Sequence, residues 1–416
     1  MSAQAVYQIF LFFFVFSTAL QLWLSLRQSR ALLRHRAEVP RDFAAAVSLA
    51  EHQTAADYTL AKQRLSRWRI WFDALLLLVF TLGGGLNLLA AISAKLSDGL
   101  ITQGVWLMVL FVLVSGLLSL PFDLYATFRL EARFGFNKMT PALFWKDFFK
   151  SLLIGVAFGL PLAATVLWLM AQMGDYWWLY TWFTWMGFNI LMLAVYPLWI
   201  APLFNKFTPM NNPAVKERVE SLLARCGFKV QGLMVMDGSI RSSHGNAYFT
   251  GFGQSKRIVF FDTLLERLSP TEVEAVLAHE LGHFKLKHVM KRIAWTFAAS
   301  FFFLWLLGAV MDKPWFYAGL NVATPSTAMA LILFFLVIPN FTFLLQPLLA
   351  IYSRKHEFEA DRYASQHARA DDLVSALTKL YKDNASTLTP DPLHSMFYDS
   401  HPPALARIGR LQANAR

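Results

Sequence analysis

An α-helical polytopic membrane protein, with about seven transmembrane helices and a polar region on one face, is the fold class this sequence predicts. Three observations carry it. Apolar residues fill 56% of the 416 positions and charged residues only 16%, against roughly 45–50% and about a quarter in soluble chains. Seven stretches of about 18 or more residues run almost free of charge, the length that crosses roughly 30 Å of hydrocarbon. The 38 lysines and arginines, which leave a net charge of +11, collect between and after those stretches. A mean hydropathy of +0.41 excludes an ordinary soluble enzyme. The 38 Phe and 14 Trp exclude a disordered or collagen-like chain.

In chain order the expected spans lie near Ala5–Leu26, Ile70–Ile92, Ile101–Leu120, Ser151–Met170, Trp177–Ile200, Ile293–Val310 and Ala328–Ile351, with Asp73 the only formal charge among them. The first has no basic leader and no small-x-small cleavage signal, so it reads as a retained span. Gly83-Gly84-Gly85, inside the second, reads as a site of close helix packing. Four regions follow: a membrane domain over 1–200, a polar region over 201–292, two further spans over 293–352 and a polar C-terminal region over 353–416.

The basic residues set the orientation. Arg27–Arg69 holds nine of them and nothing basic precedes the first span, so by the positive-inside rule the N-terminus faces out and this segment faces the cytoplasm. Alternation then leaves only Lys95 and Lys313 outside, and 36 of 38 inside. Both polar regions, and the C-terminus, are expected on the cytoplasmic side. Compact loops and no recognisable retention signal favour a bacterial inner membrane over an endoplasmic reticulum membrane. The basic face would also meet anionic membrane lipid. No nucleic-acid motif is present.

The chemistry sits on that face. Ser269-Pro270-Thr271-Glu272 is a helix start, with Ser269 as N-cap, Pro270 at the first position and Glu272 completing a capping box. The helix leads into His279-Glu280-Leu281-Gly282-His283. Histidines four apart share a helix face and can grip one metal ion, and the adjacent Glu280 carboxylate can take a proton from water. The single cysteine, Cys226, rules out a site built on several thiolates, so a third ligand must be His, Asp or Glu. His288 is nearest, but on a continuing helix it points well away from His283. Glu357 is preferred. Asp361, four residues on, shares its face and Glu359 does not, and an ion-paired helical surface is the bland alternative. His244 and His394 read as exposed loop histidines.

These residues carry a resemblance. Leu277-Ala278-His279-Glu280-Leu281-Gly282-His283, then Ser353-Arg354-x-x-Glu357-Phe358-x-Ala360-Asp361, resembles the type I CAAX prenyl protease family of polytopic membrane zinc endopeptidases. Further motifs occur in the family order: Arg133-Phe-Gly-Phe-Asn-Lys138 with Asp147, Ile200-Ala-Pro-Leu-Phe-Asn-Lys-Phe207, Ser243-His-Gly-Asn-Ala-Tyr-Phe-Thr-Gly251, and His401-Pro-Pro403 with Arg407. Gly245 departs from the serine the family often has.

The resemblance implies a zincin-like catalytic region, mainly helical with a small β-sheet. It implies one Zn2+ per chain on His279, His283 and Glu357, Glu280 as catalytic base, and Asp361 orienting a histidine ligand from behind. Asn246 and His401 would lie near the substrate carbonyl, and Asn246, Ala247, Tyr248 and Arg407 would bind substrate. An extended peptide pairing with an edge strand near Ala247–Gly251 fits such a site. The expected activity is cleavage near the C-terminus of a prenylated protein or peptide. The alternatives are a membrane-protein quality-control protease with broader substrates, and a transporter or scaffold with a structural zinc site. A transporter would place ionisable residues inside the spans.

Overall fold

A computed structural model describes residues 1–250 and 257–414. Among the described residues, six helices are long and apolar enough to cross a membrane: Ala3–His35, Leu100–Glu131, Pro141–Gln172, Gly174–Phe204, His288–Val310 and Thr327–His367. A seventh span is the bent pair Leu49–Phe80 and Gly85–Leu96, at 58° to each other. They coincide with the seven expected stretches, but several run well beyond the hydrocarbon length. The longest, Thr327–His367, carries polar residues out into the polar domain.

The second span corrects the reading of its glycines. Gly83-Gly84-Gly85 does not pack against a neighbouring helix; it breaks its own. Gly84 has φ 75°, the left-handed region that a side chain resists, and caps the second half of the pair. A Cβ on Gly83 would come within 2.8 Å of the Val79 carbonyl oxygen. The break is steric, as expected when glycine supplies a kink in an apolar helix. Further on, the seventh span passes through a 3₁₀ turn over Phe343–Leu345, between Pro339 and Pro347, before Gln346–His367 continues as the helix bearing Glu357.

The spans bury their apolar faces unevenly. A core of Phe10, Leu77, Leu86, Leu107, Leu167 and Leu333 unites the first five helices of the chain with the seventh span. Asp73 pairs with Arg69 at 3.1 Å, within its own helix. It lies near a span end, and Arg69 also stands 3.9 Å from Asp123 at the end of the third span.

The polar domain is built around a four-stranded sheet of order β1-β2-β4-β3, with β1 Phe207–Pro209, β2 Gly232–Met236, β3 Ala247–Thr250 and β4 Arg257–Phe261. β2 and β4 run parallel, and β3 pairs antiparallel to β4 through Ala247↔Phe260 to Thr250↔Arg257. Ile258, Val259 and Phe260 are all buried, as a central strand covered on both faces requires. One core joins Val219 and Leu222 of helix Pro213–Arg225, Phe260 of the sheet, Leu277 and Leu281 of helix Pro270–Lys285, and Leu377 and Leu411 from the C-terminal region. The two polar stretches that the sixth and seventh spans separate in sequence are thus one folded body.

β3 is an edge strand. Among the described residues nothing pairs with its outer edge. Gly251, the last residue of the expected strand, lies outside the described residues.

Candidate metal centre

Helix Pro270–Lys285 starts as its sequence dictates. The Ser269 hydroxyl accepts from the Glu272 amide at 3.3 Å, the Ser269 amide donates to Glu272 at 2.7 Å, and Pro270 occupies the first turn. Glu272 is buried and also accepts from Ser375 Oγ at 2.6 Å and Lys379 Nζ at 2.7 Å. Its carboxyl therefore ties the helix start to helix Ala370–Asp383. Burial opposes its charge, but these hydrogen bonds outweigh it and hold the group below the usual carboxylate range.

Gly282 lies between the two histidines. A Cβ there would fall 3.0 Å from Ala360 Cα and 3.1 Å from Tyr363 Cβ. The absence of a side chain lets this helix approach the Glu357 helix backbone to backbone, against a fully buried Ala360.

That approach brings His279, His283 and Glu357 together. The two imidazole Nε2 atoms are 3.1 Å apart, and Glu357 lies 3.6 Å from His279 Nε2 and 3.3 Å from His283 Nε2. A tetrahedral zinc site with bonds of about 2.0–2.1 Å has ligand–ligand edges of about 3.3 Å. The separations are near that length, with the Glu357 carboxylate presenting Oε2 to His279 and Oε1 to His283. Glu357 Oε2 is buried with no hydrogen-bond partner, the costly condition that a cation relieves. The two-nitrogen, one-carboxylate donor set fits zinc.

Behind His279 stands a charged group. Asp361 Oδ1 is 2.8 Å from His279 Nδ1 and is gripped in turn by Arg407 through Nε at 2.9 Å and Nη2 at 2.6 Å. Burial opposes a charge on His279, but its hydrogen bonds to Asp361 and Glu357 prevail and push the imidazole up to about 9. The pocket attracts positive charge, proton or metal, and metal binding must displace that proton.

The placement of Arg407 corrects its assignment as a substrate-binding residue. At 6% exposure, bidentate to Asp361 and 3.7 Å from Glu357, it lies behind His279 and Glu357. A guanidinium so enclosed is spent on the carboxylates that hold the site. His401, by contrast, stands at the mouth: its side chain is 62% exposed, with Nε2 3.5 Å from Glu357 Oε1. Glu280 is half-buried and, among the described residues, has no hydrogen-bond or ion-pair partner.

Asn246 is exposed, and its Oδ1 accepts from the Ala247 amide at 2.8 Å while its carbonyl accepts from Phe261. Ala247 is buried, and Tyr248 packs half-buried against Phe261. Ala247 and Tyr248 open β3, the strand that touches the His279 helix, and Asn246 directly precedes it.

Sequence reasoning missed four supports. Arg354 reaches the carbonyls of Ser395 and Asp399 and so holds the turn leading to His401. Arg241 binds Asp147 at 2.8 Å and 3.2 Å, together with Asn205, which joins two of the sequence motifs to the loop before β3. His288 does not continue the His283 helix: Lys287 has φ 57° and a new helix starts at His288, so His288 Nδ1 turns back to 3.0 Å from His283 Nδ1. Glu359, absent from the Glu357 face, meets His288 Nε2 at 2.9 Å. The two loop histidines also need correction. His394 is buried in helix Pro392–Tyr398, stacked on Tyr398. His244 is half-buried, stacked on Phe136 and 3.0 Å from Asn384 Oδ1.

The family models for the CAAX prenyl protease N-terminal region with five membrane helices and for peptidase family M48 match residues 28–206 and 209–415. The chain belongs to peptidase family M48. This family member is 32% identical to the CAAX prenyl protease 1 homolog of Homo sapiens over 450 residues, covering 96% of this chain and 94% of that protein. It is 37% identical to CAAX prenyl protease 1 of Saccharomyces cerevisiae over 315 residues, covering 72% and 69%. Its structure is similar to the crystal structure of S. mikatae Ste24p, with a TM-score of 0.91, 29% identity and coverage of 98% and 99%. The chain is a multi-pass membrane metalloendopeptidase. The preference for a bacterial inner membrane is corrected by these relatives, which are eukaryotic. A transporter or scaffold is set aside by the same matches.

Proposed function

We propose that this peptidase cleaves peptide bonds near the C-terminus of prenylated proteins, using one zinc ion held by His279, His283 and Glu357. The convergence of those three side chains, next to a Glu280 with no partner among the described residues, carries the reading. The names of the human and yeast relatives supply the substrate class. Zinc bound there supplies Lewis acidity, which lowers the pKa of water toward neutrality and polarises a carbonyl. Glu280 accepts the proton of the attacking water and passes it to the leaving amine. His401, exposed at the mouth, donates to the oxygen on which negative charge develops. Asp361 and Arg407 keep His279 aimed. The outer edge of β3 receives the substrate backbone in extended form, with Asn246, Ala247 and Tyr248 at its start.

The N-terminus lies outside and the polar domain in the cytoplasm. The distribution of basic residues supports this orientation. The shared core of the two polar stretches supports it too, since it puts both on one side of the membrane. Backbone pairing at β3 reads little side-chain identity, and this favours a second reading in which unprenylated membrane proteins are also cut.

The test is Glu280→Gln in the full-length protein in detergent. It is expected to retain about one zinc per chain and to lose roughly 10²–10⁴-fold or more in cleavage of a farnesylated C-terminal peptide. Undiminished cleavage by the variant overturns the mechanism. Equal cleavage of farnesylated and unfarnesylated peptides by the wild type selects the broader specificity.

A further inference from the structure

A second group of metal-ligating side chains lies beside the first. His288, His356 and Glu359 bring ligand atoms within 4.8 Å of one another. Two uses are open to such a cluster: a metal ion of its own, or support for the neighbouring ligand His283. The rings decide between them. His288 and His356 are stacked, with centroids 4.0 Å apart and planes within 9°. An imidazole nitrogen binds metal through a lone pair in the ring plane, and one ion cannot lie in two parallel planes separated by a stacking distance. The contacts of His288 are instead edge-on, one nitrogen to each neighbour.

We infer that His288 and Glu359 are positioning residues that fix the orientation and tautomer of His283 toward the metal. This rests on the proposed zinc site of His279, His283 and Glu357. The proton arrangement follows from that binding. With Nε2 of His283 on the metal, its Nδ1 carries the hydrogen and donates to His288 Nδ1, 3.0 Å away. His288 must then hold its own hydrogen on Nε2, which donates to Glu359 Oε2 at 2.9 Å. Lys355 lies 4.0 Å from the other Glu359 oxygen. His356, only 8% exposed, walls the face of His288 and is itself covered by Tyr352. Each zinc-binding histidine thus ends on a carboxylate, His279 directly on Asp361 and His283 through one intervening imidazole. Histidine ligands generally donate their second N–H in this way, and losing the acceptor typically costs 10–100-fold in metal affinity or activity.

Metal affinity by chelator competition and the visible spectrum of the cobalt-loaded full-length protein test the inference. Wild type is expected to bind one equivalent with a tetrahedral cobalt spectrum. If it binds none, the zinc site itself fails and this inference falls with it. Given wild-type binding, His288→Phe, which keeps the ring stack, and Glu359→Leu are each expected to weaken binding 10–100-fold and shift the cobalt bands. Glu359→Gln keeps an acceptor oxygen and should restore most of the affinity. His356→Phe should leave stoichiometry and spectrum unchanged. Wild-type affinity and bands in Glu359→Leu overturn the relay. So does a second equivalent in wild type that vanishes in His356→Phe, which would make the cluster a metal site in its own right.

Discussion

The catalytic domain and the outer spans are packed on different terms, and their glycines make the contrast measurable. At Gly282 an added Cβ would strike Ala360 Cα at 3.0 Å. At Gly155 and Gly159 of the fourth span, and Gly187 of the fifth, it would meet nothing within 4 Å. In the catalytic domain, ligand geometry depends on how closely two backbones approach. In those spans the apolar windows are only 11% buried within the chain, against 44% in the seventh. There the lipid side needs only hydropathy. A metal site tolerates errors of tenths of an ångström; a lipid-facing helix tolerates whole side chains.

The contrast is tested most severely at Gly282. Gly282→Val inserts branched carbons where the Ala360 and Tyr363 contacts already stand at 3.0–3.1 Å. Overpacking of this kind costs about 1–3 kcal/mol. A displacement of about 1 Å between reacting groups costs on the order of 10²-fold in rate. The expected result is at least that loss in peptide cleavage together with reduced zinc content, measured on purified protein. Wild-type zinc and rate would show that the two helices can part without cost and would abolish the distinction between the regions.

Next in size is the charge behind His279. Arg407→Ala leaves Asp361 and Glu357 negative and enclosed. Removing one partner of a buried pair costs about 3–5 kcal/mol. The melting temperature in detergent should fall by several degrees, and metal affinity should fall with it. Stability equal to wild type would show that Arg407 is dispensable to the buried site.

The legible and illegible parts of the sequence divide along the same line. The spans could be read because charge is excluded from apolar windows whatever their packing. Helix Pro270–Lys285 could be read because its cap, proline and His-Glu-x-x-His spacing are local. The break at Gly83–Gly85 was missed because glycine in a spanning helix more often serves packing, and nothing local distinguishes the two uses. His288 was misplaced by assuming a continuous helix. The reversal occurs at Lys287, with φ 57°, where neither Gly nor Asn announces it. Arg407 resembles a surface cation until the C-terminal helix folds over Asp361. Burial created by residues 46 positions apart leaves no periodic trace.

A smaller effect is expected at the start of the His-Glu-x-x-His helix. Glu272→Ala removes the acceptor shared by Ser269, Ser375 and Lys379. A lost cap and its hydrogen bonds amount to roughly 1–2 kcal/mol. The pH dependence has a definite sign. The folded state holds this carboxyl below its usual value of 4.5, so its contribution is present above that value. It is lost as pH falls through the lower folded one. Wild type and variant should therefore converge in melting temperature on acidification and separate at neutral pH. A constant difference across that range would assign the effect to packing alone.

The last expectation is a null effect that the contrast requires. Gly155→Ala adds a methyl group to the fourth span, in a helix where no atom of the chain stands within 4 Å of it. In the interior of a helix alanine is favoured over glycine by about 0.5–1 kcal/mol in water. The added methyl faces hydrocarbon, where it displaces no polar contact. Melting temperature and cleavage rate should match wild type within error or rise slightly. The same substitution at Gly282 should cost more, because there the methyl stands 3.0–3.1 Å from Ala360 and Tyr363 and the two helices must part by a few tenths of an ångström to admit it. A loss of activity in Gly155→Ala comparable to that at Gly282 would mean that the outer face of the fourth span is engaged during catalysis. It would then belong to the functional part of the molecule along with the proposed metal site.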